Sequence, residues 1–186
     1  MTARDDLLDR CVAHLQDVGF GERSLREIAA GAGTSHRMLI YHFGGREGLL
    51  AAVVGRVEAQ TRAVLATLAA TYRDPVELGR AFWRGLSDPS LAPAERLFFE
   101  LYAQALYGRE WTDEFRATVI AAWAGPVEEM FRALGFSRRE ARLRTRIGIA
   151  TTRGLLMDLL ITGDRRLLDE AAELFGRLLT LPAPHD

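Results

Sequence analysis

Apolar residues recur along this chain at steps of three and four, and no stretch sustains strand-like alternation over six residues. Over residues 3–19, Leu7, Leu8, Cys11, Val12, Leu15 and Val18 fall on one face of a helix, which Gly19-Phe20-Gly21 interrupts. Ser24-Leu25-Arg26-Glu27 is a capping box, in which the serine oxygen accepts an amide N–H three residues on and Glu27 reaches back. It opens a short helix carrying Leu25, Ile28 and Ala29 that stops near Gly31-Ala32-Gly33. Thr34 or Ser35 caps a third short helix through about Tyr41. After His42-Phe43-Gly44-Gly45 a long helix runs from about Arg46 to Ala70, with apolar positions at Leu50, Val53, Val57, Val64 and Leu68.

The later pattern is punctuated by proline, all six of which follow residue 74. Asp74-Pro75 reads as an N-cap and first helical residue, starting a helix to about Leu86. Pro89 and Pro93 bracket the loop before a helix over 94–108, and Pro126 is expected to bend or break the stretch 111–134. Gly135-Phe136-Ser137 leads into a helix over 138–162, and Gly163 separates that from a last one over 165–180. The spacing therefore predicts an all-α chain of about nine helices. Its architectural boundary lies near residue 45, dividing a segment 1–45 of short helices from a helical bundle over 46–186.

Composition agrees with helices: Ala and Leu each occur 27 times against 15 Val plus Ile. No apolar run approaches the roughly 18 residues of a membrane span, the start MTARDDLLDR is too acidic for a secretory signal, and a cytoplasmic protein is expected. The single cysteine, Cys11, excludes an internal disulfide and a cysteine-rich zinc site. All 24 basic residues are arginine, against 25 acids, for a net charge of −1. That total offers no bulk pull toward nucleic acid. Residues 1–50 are also at −1, with six Arg and seven acids, so any electrostatic case rests on position.

Three helices of this size, with a glycine turn between the last two, match a helix-turn-helix unit. Ile28, Ala29, Leu39 and Phe43 would pin its second and third helices onto Leu8, Val12 and Leu15, while the third presents His36, Arg37, Tyr41 and Met38 outward. Across residues 24–50 the run resembles the TetR family of bacterial transcriptional regulators. The shared features are Ile28-Ala29, Ala32-Gly33, Ser35 opening the recognition helix, Leu39, His42-Phe43, a basic residue at Arg46 and Leu49-Leu50. The matched block covers roughly residues 5–54, and the remaining helices match in number and length. Three positions depart from the family: Arg37 stands for a small residue, Ile40 for tyrosine and Arg46 for lysine. Without the hydroxyl, Ile40 is expected to be buried.

The resemblance implies a homodimer on a double-stranded DNA operator. His42, Arg46, Thr34 or Ser35 and the start at Ser24 would hold phosphates; His36, Arg37 and Tyr41 would face bases. Simpler readings stand beside these: a solvated Arg37, a helix-start charge at Arg46, a capping His42, a core Tyr41, a structural His14 and a tail residue at His185. The acids Asp5, Asp6, Asp9 and Asp17 lie on the first helix, away from the proposed groove surface.

Two features concern the bundle. Leu143, Ile147, Ala150, Gly154, Met157 and Ile161 form one stripe, and Leu167, Ala171, Leu174, Leu178 and Leu181 another. The last helix carries a second stripe, Leu168, Ala172, Phe175 and Leu179, so one face lacks a partner within the chain. A two-fold four-helix interface is expected, with Ile147, Ala150, Gly154, Met157, Leu167, Leu174 and Leu178 in it; an all-internal seam is the alternative. The aromatic-dense middle is mostly core, yet large rings leave gaps where bundle cavities form. By resemblance such a cavity would hold a small-molecule effector, hydrophobic or aromatic, near Trp83, Phe98, Tyr102, Gln104, Trp123 and Phe131, with Glu100 and Arg109 as charged options.

No cofactor or metal is implied. His14, His36, His42 and His185 form no zinc-binding pair, and Gly31-Ala32-Gly33 is followed by Thr34-Ser35-His36 and not by a phosphate-loop lysine. An all-α enzyme, and a ligand-binding or adaptor protein that never touches DNA, are the competing classes. The favoured reading is a ligand-released repressor on a palindromic operator.

Overall fold

The structure, a computed structural model, describes residues 2–19 and 23–181. Phe20, Gly21 and His185 lie outside the described residues. Among those described, the chain forms ten α-helices, two 3₁₀ turns and no strand. The helices are α1 (Ala3–Val18), α2 (Leu25–Gly31), α3 (His36–Phe43), α4 (Arg46–Thr71), α5 (Pro75–Leu86), α6 (Ala92–Leu106), α7 (Asp113–Thr118), α8 (Ala121–Ala133), α9 (Arg138–Thr162) and α10 (Arg165–Thr180). The 3₁₀ turns are Pro89–Leu91 and Glu110–Thr112.

Helix starts follow side-chain chemistry. Capping boxes open α1 (Thr2 with Asp5), α2 (Ser24 with Glu27) and α9 (Ser137 with Glu140). Asp74 caps α5 ahead of Pro75, accepting from the Val76 and Glu77 amides at 2.7 and 3.2 Å. Gly163 ends α9 in the left-handed region, with φ of 71°.

The tenth helix comes from the stretch 111–134, which divides at Val119–Ile120 while Pro126 sits inside α8. The expected break at Pro126 is corrected by a tertiary bond: the Val119 carbonyl accepts from the Arg153 guanidinium of α9 at 2.8 Å. A proline costs one N–H within α8, whereas the carbonyl at the break finds a charged donor.

By compactness the chain falls into two units, Met1–Gln60 with Pro89–Arg116, and Thr61–Asp88 with Ala117–Asp186. This division differs from one at residue 45, because α4 contributes to both units and α6 belongs with the N-terminal helices. In the first unit, α1 packs on α2 and on α6, and α2 on α3. Its core includes Leu8, Cys11, Leu15, Ile28, Leu39, Leu49, Leu50, Val53, Leu97 and Leu101, all buried. Burying each large aliphatic side chain contributes about 1.5–3 kcal/mol. Val18, expected on the core face of α1, is exposed, because it closes the helix one turn beyond Leu15.

In the second unit α8 packs along α9, and α10 against α5 and α9. Leu65, Leu78 and Trp123 form a buried cluster lined by Leu68, Tyr72, Phe82 and Ile149. Leu65 replaces the expected Val64, which is exposed on the neighbouring face of α4. A polar seam runs beside this core. Arg80 pairs with Glu173 at 3.1 Å, the Trp83 indole N–H donates to Asp169 at 2.7 Å, and Arg165 donates to the Ser87 hydroxyl at 3.3 Å. The numbering rises on α5 as it falls on α10, as in an antiparallel pair.

Candidate nucleic-acid interface

The three-helix unit holds α3 at both ends. The turn between α2 and α3 requires Gly33, whose φ is 62°. Arg10 of α1 donates to the Gly33 carbonyl at 3.1 Å. Ser35 is the cap: its hydroxyl accepts the Met38 amide at 3.2 Å, while the Thr34 amide donates to the Ala29 carbonyl. At the far end, Arg4 of α1 donates to the His42 carbonyl at 3.4 Å and lies 5.1 Å from the Phe43 ring centre. Leu39 and Phe43 are buried beneath.

Two glycines allow close approach. A Cβ at Gly31 would sit 2.1 Å from the His14 ring, so His14 packs directly on the end of α2. A Cβ at Gly48 would sit 1.9 Å from the Phe43 carbonyl oxygen, where the head of α4 closes on the end of α3.

The outward residues of α3 are Arg37, Met38, Ile40 and Tyr41; His36 and His42 are half-buried at the borders. Tyr41 is 77% exposed, which removes the core alternative. Its ring meets His42 edge-on at 4.8 Å. Ile40 is 45% exposed, correcting the expectation that it is buried: Leu39 and Phe43 fill the inner face, and Ile40 lies off it.

Electrostatics redistribute the charge. Arg4 and Arg10 are engaged with backbone carbonyls, and Asp5 and Asp9 of α1 face Arg56 of α4 at 3.2 and 3.5 Å. Arg26 and Arg37 are exposed. Arg46 donates through Nε to the Arg23 carbonyl at 3.2 Å and stands 3.8 Å from the Glu100 carboxylate of α6. At Ser24 the amide and the hydroxyl both donate to Glu27, at 2.8 and 2.7 Å, so a phosphate there would have to displace a carboxylate. These bonds hold the Glu27 carboxyl below its usual range, the Ser24 hydroxyl contributing most. Cys11, fully buried, has its thiol pushed up to about 11 by burial.

The aromatic residues expected around an effector fall in both units. In the first, Phe98 meets Phe99, Tyr102 and Phe115 at ring distances of 5.2, 5.5 and 5.9 Å, with Gln104 half-buried on the same helix. In the second, Trp123 lies 5.9 Å from Phe82, Phe131 lies 6.0 Å from Phe136, and Trp83 is fastened to Asp169. Arg109 is exposed. All seven residues expected at a dimer interface are exposed: Ile147, Ala150, Gly154 and Met157 on α9, and Leu167, Leu174 and Leu178 on α10. Leu168 is buried, with Ala172, Phe175 and Leu179 half-buried, so the two stripes of α10 separate into an inner and an outer face.

Sequence reasoning missed Glu100 as the neighbour of Arg46, and Arg4 and Arg10 as braces of α3. These are contacts between residues 23 to 54 positions apart, and no local pattern signals them. Among the described residues no three His, Cys, Asp or Glu gather to hold a metal ion, and no helix is long and apolar enough to cross a membrane.

Residues 7–53 match the family model of bacterial regulatory proteins, tetR family. No curated relative matches the chain. Among solved structures, a transcriptional regulator from Rhodococcus sp. RHA1 superposes with a TM-score of 0.73 at 20% identity, covering 96% of each chain. A TetR transcriptional regulator from Legionella pneumophila gives 0.74 at 16% identity, covering 96% of this chain and 97% of that one. The Thermus thermophilus repressor FadR, solved with lauroyl-CoA, gives 0.63 at 21% identity over 98% of each. At these identities the likeness is one of fold.

Proposed function

The chain belongs, through residues 7–53, to the tetR family of bacterial regulatory proteins, and from that premise we propose that it is a ligand-released repressor that binds a palindromic operator as a homodimer. The observation that carries this reading is α3: a helix capped by Ser35, braced at both ends from α1, with Arg37 and Tyr41 on its outer face. A segment of this size fits a major groove. Arg37 and Tyr41, with His36 at the border, face bases; Thr34, Ser35, His42 and Arg46 meet phosphates, and Ser24 does so only where Glu27 yields. Functionally, residues 1–45 contact DNA together with Arg46 at the head of α4, and the rest of 46–186 serves ligand binding and dimerisation.

Few arginines in this region point outward, so one copy binds weakly and two are needed. The outer face of α9 and α10, with Ile147, Met157, Leu174 and Leu178 exposed, supports self-association through a four-helix seam. Two recognition helices would then sit about 34–36 Å apart, or a multiple of that. Effector binding would shift the dimer away from this spacing. The effector is a small apolar or aromatic molecule, argued from the rings around Phe98 and around Trp123. A long acyl chain of the kind held by the Thermus protein belongs in the screen.

The test is a band shift of the full chain on the DNA upstream of its own and neighbouring genes, at two salt concentrations, with the Leu174→Arg variant alongside. Salt-sensitive binding that L174R weakens together with a halving of native mass is the expected result. A variant that stays dimeric removes the α9–α10 seam, and intact protein that shifts none of these fragments contradicts the operator. A thermal-shift screen in which apolar compounds leave the melting temperature unchanged contradicts the effector class.

A further inference from the structure

The outer arc of α3 is more apolar than a set of hydrogen-bonding readers requires. At about 100° per residue, Arg37 and Tyr41 lie at its centre, Ile40 on one side and Met38 on the other. Leu39 and Phe43 point the opposite way and are buried. Met38 is 41% exposed and Ile40 45%, on the same arc as Arg37 and Tyr41. Ile40 has no donor or acceptor to offer a base edge and Met38 only a weakly accepting thioether sulfur, and an isoleucine, branched at Cβ, has a fixed shape. In a major groove the apolar feature of a base edge is the C5-methyl of thymine.

We propose that Ile40 and Met38 are specificity-determining residues that read thymine methyl groups, on either side of the base pairs met by Arg37 and Tyr41. The inference rests on the reading that α3 enters the major groove. It adds a base class: half-sites containing thymine at the Ile40 and Met38 positions, next to a guanine that Arg37 can hold through two hydrogen bonds. Residues that sit between Arg37 and Tyr41 and the helix borders at His36 and His42 share whatever surface those residues meet, which ties the apolar flanks to DNA.

Deoxyuridine differs from thymidine only by that methyl group and pairs identically. The experiment selects duplexes from a random library with the full-length chain, then replaces each thymine of the enriched site in turn by uracil and measures affinity by anisotropy. Loss of one buried methyl should weaken binding about fourfold at one or two positions per half-site. I40A should bind thymine DNA with a similar loss and show no thymine–uracil difference at one of those positions; M38A should do so at another. Melting curves verify that both variants fold. Binding that stays specific while every uracil replacement is silent, or a thymine–uracil difference that survives in both variants, overturns the inference and leaves the DNA-binding reading standing. A library in which no duplex is enriched overturns both.

Discussion

Arg46, at the head of α4, stands 3.8 Å from the Glu100 carboxylate of α6. Its Nε donates to the Arg23 carbonyl just before α2, so a single guanidinium joins the lead-in to α2, the start of α4 and α6. Both side chains are about one-third exposed, at 37% and 32%. Solvent therefore screens the pair, and it contributes on the order of 0–1 kcal/mol to stability.

If Arg46 holds a phosphate as proposed, phosphate and Glu100 compete for the same cation, which sets the first prediction. Glu100→Gln should leave the melting temperature nearly unchanged and strengthen DNA binding by up to about fivefold at low salt, less at high salt. Arg46→Ala should weaken binding to all sequences and lower the salt slope by about one. Anisotropy titrations across a salt series measure both. An E100Q protein that binds no more tightly than the parent would mean that Arg46 stays out of the phosphate contacts.

The glycines at the ends of the short helices should rank in a fixed order. A methyl at Gly48 collides with a backbone oxygen, and one at Gly31 collides with the movable His14 side chain. Gly48→Ala should destabilise by about 1–3 kcal/mol and Gly31→Ala by less, read from thermal or urea unfolding. The reverse order would show that the approach of α3 to α4 is looser than the structure has it.

Trp83 separates a structural tie from an effector contact. Its indole N–H is bonded to Asp169 at 2.7 Å. Trp83→Phe leaves that carboxylate without its donor and should cost about 1.5–3 kcal/mol of stability, while effector-induced release from DNA stays intact. Unchanged stability with lost effector response would instead support Trp83 as a residue of the proposed ligand site.

The local chemistry of this chain was legible in advance: Ser24 with Glu27, Asp74 with Pro75, Ser35 and Gly33 act through neighbours a few residues away. The capped helices and the inner face of α3 followed from that. Val18 and Val64 did not, because periodicity reports which residues could be buried and tertiary packing decides how wide the buried face is; Ile40, expected inside for want of a hydroxyl, lies off the inner face that Leu39 and Phe43 fill. The break at Val119 and the partners of Arg46 and Trp83 were also out of reach, since each depends on a residue 23 to 86 positions distant. The outer stripe of α10 was visible in sequence as a surplus, and the structure leaves it exposed.

Acid should unfasten the helix starts. Asp5, Glu27 and Glu140 are all held below the usual carboxylate range: Asp5 first by the Thr2 amide and then by its hydroxyl, Glu27 and Glu140 first by the serine hydroxyl and then by the serine amide. A carboxyl with a lowered folded-state pKa stabilises fully above its unfolded value, near pH 4, and loses that contribution as pH falls through the folded value. Melting temperature should therefore drop below about pH 4, and Ser24→Ala with Ser137→Ala should flatten that drop. Cys11 acts in the opposite sense. Its thiol, raised from 9.0 to about 11, should resist alkylation in the native protein at pH 8 and lose stability as pH climbs between those values. Rapid labelling of Cys11 in the folded chain would contradict the packing of α1.

The central claim, that α3 reads an operator, is tested most directly by selection from a random duplex library with the full-length protein. The account predicts enrichment of a two-fold symmetric site whose half-sites are centred about 10 base pairs apart or a multiple of that, bound by two chains and weakened steeply by salt. A library that emerges with no enriched sequence, or a protein whose affinity is the same for every duplex, would contradict it.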